Sequence, residues 1–145
     1  HHYGSKAGLF RAVAAHLQRE VAATLVAAAE EAPGGPAERL RAGSHAFLDA
    51  ITAPRTVRIL LVEAPAVVGW QEWRALDAES SAVHLRDALA EAGVPPAVLD
   101  ALTAQLSGAM NEAALWLVER AGEPGARDAA HRALDLLLEV ATADR

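Results

Sequence analysis

Residues 126–143, ARDAAHRALDLLLEVATA, decide how this chain folds. Leu134, Leu136, Leu137, Leu138 and Val140 crowd its second half, and on a helix they cover well over half the circumference. A helix that is apolar nearly all round must be buried on two sides. Its own chain can cover one side; the other falls to a partner, or to the centre of a monomer. The stretch before it, residues 96–121, carries Leu99, Leu102, Leu106, Ala109, Ala113 and Trp116 at alternating steps of three and four, a coiled-coil-like seam. Two such helices packed on their own copy about a two-fold axis make a four-helix bundle. A C-terminal helix is seldom central, so the homodimer is the favoured reading. Leu99, Leu102, Leu106, Leu134, Leu137 and Leu138 are its expected contacts, burying more than roughly 1,000 Å².

Outward from this pair, proline and glycine punctuate a chain that otherwise reads as helix throughout. Gly122-Glu123-Pro124-Gly125 separates the last two helices, and Gly93-Val94-Pro95-Pro96 ends the one before them. That earlier helix starts after Gly69. A short apolar helix bearing Val57, Leu60 and Leu61 follows Pro54 and is disturbed by Pro65. Residues 37–52 form a helix with Leu40, Phe47, Leu48 and Ile51 on one face. Pro33-Gly34-Gly35-Pro36 divides it from a first helix capped by Ser5, with Leu9, Phe10, Val13, Leu17, Val21 and Leu25 at helical spacing. The expected class is all-α: a multi-helix ligand-binding domain whose last two helices form the dimer interface.

Composition narrows the function. The 145 residues are 52% hydrophobic, which excludes disorder, and contain no cysteine, which excludes a disulfide scaffold, a zinc-thiolate site and a cysteine nucleophile. No apolar run reaches the roughly 18 residues that cross a membrane, and no signal-peptide pattern opens the chain, so a cytoplasmic protein is expected. The charge is uneven. Residues 1–20 carry a net +2 and three histidines; residues 21–145 carry a net −8. An acidic body repels DNA, and only the N-terminal piece suits its edge.

That piece is His1-His2-Tyr3-Gly4-Ser5-Lys6-Ala7-Gly8-Leu9-Phe10: the end of one helix, a tight turn, then a new helix with a lysine in its first turn. A cation is misplaced against the helix dipole there unless something anionic, such as a phosphate, lies nearby. From the residues alone, His1-His2 reads more readily as a purification-tag remnant and Lys6 as a solvated charge.

The same residues resemble the end of the helix-turn-helix domain in TetR/AcrR-family transcriptional regulators. His2 matches the family's phosphate-contacting histidine, Tyr3 its aromatic, and Lys6 the lysine that opens the following helix. Ala7-Gly8 replaces the family's usual acidic pair, which removes the capping box. The segment from Glu63 to Arg74 is also similar to a stretch common in one branch of the family's ligand domains. The resemblance implies that residues 1–5 are the tail of a DNA-binding domain whose other helices are missing here, and residues 6–145 an effector-binding and dimerisation domain. It further implies DNA phosphate contacts by His2, Tyr3 and Lys6, operator DNA read through the missing helices, usually for repression, and a small molecule that shifts the spacing of the two DNA-binding heads. An all-α dimeric binding or scaffold protein without a DNA role is the alternative.

A pocket for a small apolar or amphipathic effector is expected around Phe47, Glu63, Trp70, Trp73, His84, Met110, Asn111 and Trp116, apolar walls with a few polar groups. Core packing is the competing reading for the tryptophans, expected on inward-facing turns. Enzyme chemistry is not expected. Asp128/His131, His45/Asp49 and His16/Glu20 each share a helix face but read as surface ion pairs. A second matching site for a di-iron bundle, a phosphate loop and a nucleophile elbow are all absent. Neither cofactor nor metal is expected.

Overall fold

The computed structural model describes residues 5–143 and contains helices and turns but no strand among them. Helix α1 (Lys6–Glu31) is capped by Ser5, whose Oγ accepts from Gly8 N at 2.9 Å, so the cap stands without the capping box. Glu38 accepts from Gly35 N at 3.2 Å and, with Pro36, opens α2 (Pro36–Ile51). The two helices lie close: a Cβ at Gly43 would sit 3.4 Å from the Leu25 carbonyl oxygen.

A bent ribbon of short helices crosses this pair. It comprises α3 (Pro54–Val57), a π-helical stretch Arg58–Glu63, α4 (Ala64–Val68), α5 (Trp70–Asp77), a second π stretch Ala78–Ala82, and α6 (Val83–Glu91). The disturbance expected at Pro65 takes the form of that first π stretch, where Ala64 N donates five residues back to Ile59 O. Gly93 ends α6 with φ of 96°: its N–H bonds to Ala90 O, and that of Val94 to Leu89 O, at 3.1 Å each. This is the reciprocal closure that glycine makes cheap past a helix end. Two long helices, α7 (Pro96–Glu119) and α8 (Ala126–Ala141), complete the chain.

Leu40, Leu48, Ile51, Leu60 and Leu89 are wholly buried where α2, the ribbon and α7 meet. Helix α8 gives Ala130, Leu134 and Leu138 to this core and leaves Leu136, Leu137 and Val140 at 65%, 47% and 74% exposure. The expected dimer residues therefore divide. Leu99, Leu106, Leu134 and Leu138 are buried in the chain's own core, Leu102 is half-buried, and only Leu137 is free to meet a partner. The large apolar side chains these two helices leave exposed are Val98, Trp116, Val118, Leu136, Leu137 and Val140, with Trp116 and Val118 on nearly opposite sides of α7. No described helix is long and apolar enough to cross a membrane.

Candidate functional site

The chemistry around α5 starts with a missing hydrogen. Within the π register, the Leu60 carbonyl would accept from residue 65, but Pro65 has no N–H to give. The Trp73 indole supplies the donor: Nε1 reaches Leu60 O at 2.5 Å, and the side chain is buried. Trp70 opens the same helix after Gly69, and its ring stacks on Trp73 with centroids 5.0 Å apart. Its indole stays 60% exposed, contrary to the expectation that every tryptophan points inward. The physical reason is position: Trp70 shares Trp73's face but sits on the first turn of α5, at the edge of the body.

One turn beyond Trp73 on the same face lies Asp77, 8% exposed. Ser107 on α7 donates its hydroxyl to Asp77 Oδ2 at 3.1 Å, and no cation comes within ion-pair distance among the described residues. Burial pushes the Asp77 carboxyl above its ordinary range; the Ser107 hydrogen bond and the charge of Arg74 offset this only in part. Trp70, Trp73, Asp77, Ser107 and Asn111 line one cavity of about 530 Å³ between the ribbon and α7. Asn111 Oδ1 is buried there with no hydrogen-bond partner.

The other expected pocket residues lie elsewhere. Phe47, His84 and Met110 line a second cavity of about 350 Å³ between α1, α2, α6 and α7. The two cavities adjoin at Ala82 and Ser107, and Ser81 Oγ is buried without a partner beside the second. Trp116 borders an open apolar groove of about 280 Å³ between α7 and α8. Glu63 faces none of the three and accepts from Arg58 Nε at 3.1 Å. Seven of the eight residues thus fall among three cavities and Glu63 in none, and Trp70, Trp73 and Asn111 stay together. Asp77 was missed, although its spacing of four from Trp73 is visible in the sequence.

Lys6 lies exposed at the start of α1; His2 and Tyr3 fall outside the described residues. Five residues after Lys6, Arg11 Nε reaches Glu72 Oε1 on α5 at 2.5 Å, joining the N-terminal end of α1 to the helix that carries Trp73 and Asp77. Two of the in-helix pairs are corrected by the structure. His45 and Asp49 do not bond to each other: His45 turns to Asp135 on α8, and Asp49 accepts from His131 and Arg127 of α8. Asp128 lies nearest Arg132, at 4.0 Å, rather than His131. His16 does reach Glu20, at 2.6 Å. Among the described residues no group of three or more side chains is placed to hold a metal ion.

The family model described as "Tetracyclin repressor-like, C-terminal domain" matches residues 37–141. A search of curated proteins found no match.

Proposed function

Since this chain belongs to the tetracyclin repressor-like C-terminal domain family, we propose that it is the effector-binding and dimerisation part of a ligand-responsive transcriptional repressor working in the cytoplasm. The cavity beneath Trp70 and Trp73 takes the effector, and the exposed apolar residues of α7 and α8 meet a second copy. A helix-turn-helix head preceding α1 holds operator DNA, with Lys6, His2 and Tyr3 at its phosphates. No catalytic step belongs to this reading.

The family match over residues 37–141 carries the proposal, and the half-exposed, solvent-screened Arg11–Glu72 ion pair is its link to α1. That pair fastens the cavity's own helix to the end of α1 nearest the DNA. A rigid helix of 26 residues is about 39 Å long, so a small displacement of α5 tilts α1 and is enlarged at Lys6. Two heads displaced in opposite senses by the two-fold axis no longer match the spacing of operator half-sites. Effector and DNA then oppose each other through one equilibrium, and the coupling is reciprocal.

The test uses a full-length protein carrying this domain. Arg11→Ala should leave effector affinity nearly unchanged and reduce the effector's influence on DNA affinity. Unchanged coupling in that variant would place the transmission elsewhere. A protein that dimerises and takes up small molecules yet selects no DNA sequence would be the scaffold alternative.

A further inference from the structure

We propose that the Trp70–Trp73–Asp77 cavity takes an organic ammonium ion with an apolar, preferably aromatic, body. This rests on the cavity being the effector site and names the effector's chemical class.

Three neutral donors lining the cavity are already engaged: the Trp73 indole by Leu60 O, the Ser107 hydroxyl by Asp77, and the Thr103 hydroxyl by Leu99 O at 2.7 Å. The Trp70 indole N–H and the Asn111 amide N–H remain open, and so do buried acceptors. Asp77 has a single hydrogen bond for a carboxylate with two oxygens, and Asn111 Oδ1 has none. A ligand that satisfies these groups must donate.

Charge points the same way. The lining contains Asp77, Asp100 and Glu112 against Arg74 alone. Asp100 is paired outward with Arg86, at 2.6 Å, and both side chains are well exposed, so that pair is screened by solvent. Asp77 differs, because it is desolvated and lacks a counter-ion. A buried carboxylate in that state is costly until a cation reaches it. Trp70 and Trp73 present stacked indoles at the wall, and Trp70 keeps most of its surface exposed. Aromatic faces attract cations and cover flat apolar bodies equally well. The volume of about 530 Å³ falls in the range of small-molecule sites. An anion finds only Arg74, set beside three acids.

Calorimetric titration with three probes of one shape decides the matter: 1-naphthylmethylammonium, 1-naphthylmethanol and 1-naphthoate, at neutral pH. The ammonium should bind at least about tenfold more tightly than the alcohol, and the naphthoate more weakly than both. Asp77→Asn, which retains an acceptor for Ser107, should bring the ammonium down to the alcohol's affinity. Trp70→Ala should weaken both, and the exposure of Trp70 makes this variant safe for folding. Ser81→Leu, beside the neighbouring cavity, should change neither. An ammonium that binds no better than the alcohol, or a preference that survives Asp77→Asn, overturns the proposal. If the alcohol binds and is lost in Trp70→Ala without any charge preference, the ammonium claim falls while the effector site stands. If none of the three binds, and no small molecule co-purifies with the protein, both fall.

Discussion

His45 on α2 and His131 on α8 meet Nδ1 to Nδ1 at 2.5 Å, and each ring's Nε2 faces a carboxylate on the opposite helix. Their planes are 17° from parallel with centroids 4.4 Å apart. Two faces in van der Waals contact would stand roughly 3.5 Å apart, so the rings meet at their edges. The Nε2 of His45 donates to Asp135 and the Nε2 of His131 to Asp49. The pair lies between two carboxylates, each also bound by an arginine: Asp135 by Arg41 at 2.9 and 3.1 Å, Asp49 by Arg127 at 2.9 Å. This chain of hydrogen bonds ties α2 to α8. His45→Ala and His131→Ala should each cost about 1–3 kcal/mol of stability by leaving a half-buried partner unsatisfied. A double-mutant cycle in urea should find the two costs strongly non-additive; additive costs would mean the rings do not bond.

The same network fixes an acid dependence. Burial pushes the Asp135 carboxyl up, but the hydrogen bonds from Arg41 and His45 outweigh it and hold the group below its ordinary 3.8. A depressed carboxylate stabilises the fold above its unfolded value, and the contribution is lost as pH falls through the folded one. Wild-type protein should lose more stability below pH 3.8 than Asp135→Asn does, as read by urea midpoints across an acid series.

Asp77 has the opposite sign. Its carboxyl is raised, so its contribution is favourable in acid and lost as pH rises past the raised value. At neutral pH it is a cost to the fold. Asp77→Asn should raise the melting midpoint, by about 3 °C for each kcal/mol recovered, while impairing ammonium binding. A lower midpoint would show that the Asp77 charge is balanced within the fold.

The exposed apolar residues of α7 and α8 are expected to meet a second copy. Leu137→Asp and Val140→Asp should yield a helical monomer in sedimentation velocity at micromolar concentration, because both side chains are already exposed in the single chain. A wild-type monomer at that concentration would remove the dimer.

Lys6→Ala in a full-length protein should weaken DNA binding about equally for all operator variants and flatten its salt dependence, the behaviour of a phosphate contact. Loss confined to particular sequences would mean that Lys6 reads bases.

The helices were legible because their ends are chemical: Ser5, the Pro33–Pro36 breaker, Gly93 and Gly125 stop or start a ladder locally. The first π stretch was not, since its shift of register depends on Pro65 together with a tryptophan thirteen residues from the carbonyl it rescues, and the second, Ala78–Ala82, carries no proline to mark it. Periodicity placed Trp73 inward correctly. It could not tell which end of α5 lies at the rim, and so placed Trp70 inward as well. His45 and Asp49 have the spacing of an in-helix pair, and nothing local reveals that α8 competes for both. The interface leucines show the same limit: a seam of small steps marks a buried stripe but not which body buries it.

Occupancy of the α5 cavity should change the grip of the DNA-binding head. The most direct measurement takes a full-length protein carrying this domain, selects its preferred duplex from a random-sequence pool, and follows fluorescence anisotropy of that duplex during titration with 1-naphthylmethylammonium and 1-naphthylmethanol. DNA affinity should fall about tenfold or more at saturation, the usual scale of coupling between sites, with much of the response lost in Arg11→Ala. A duplex whose affinity stays the same while calorimetry shows the cavity filled would contradict this coupling.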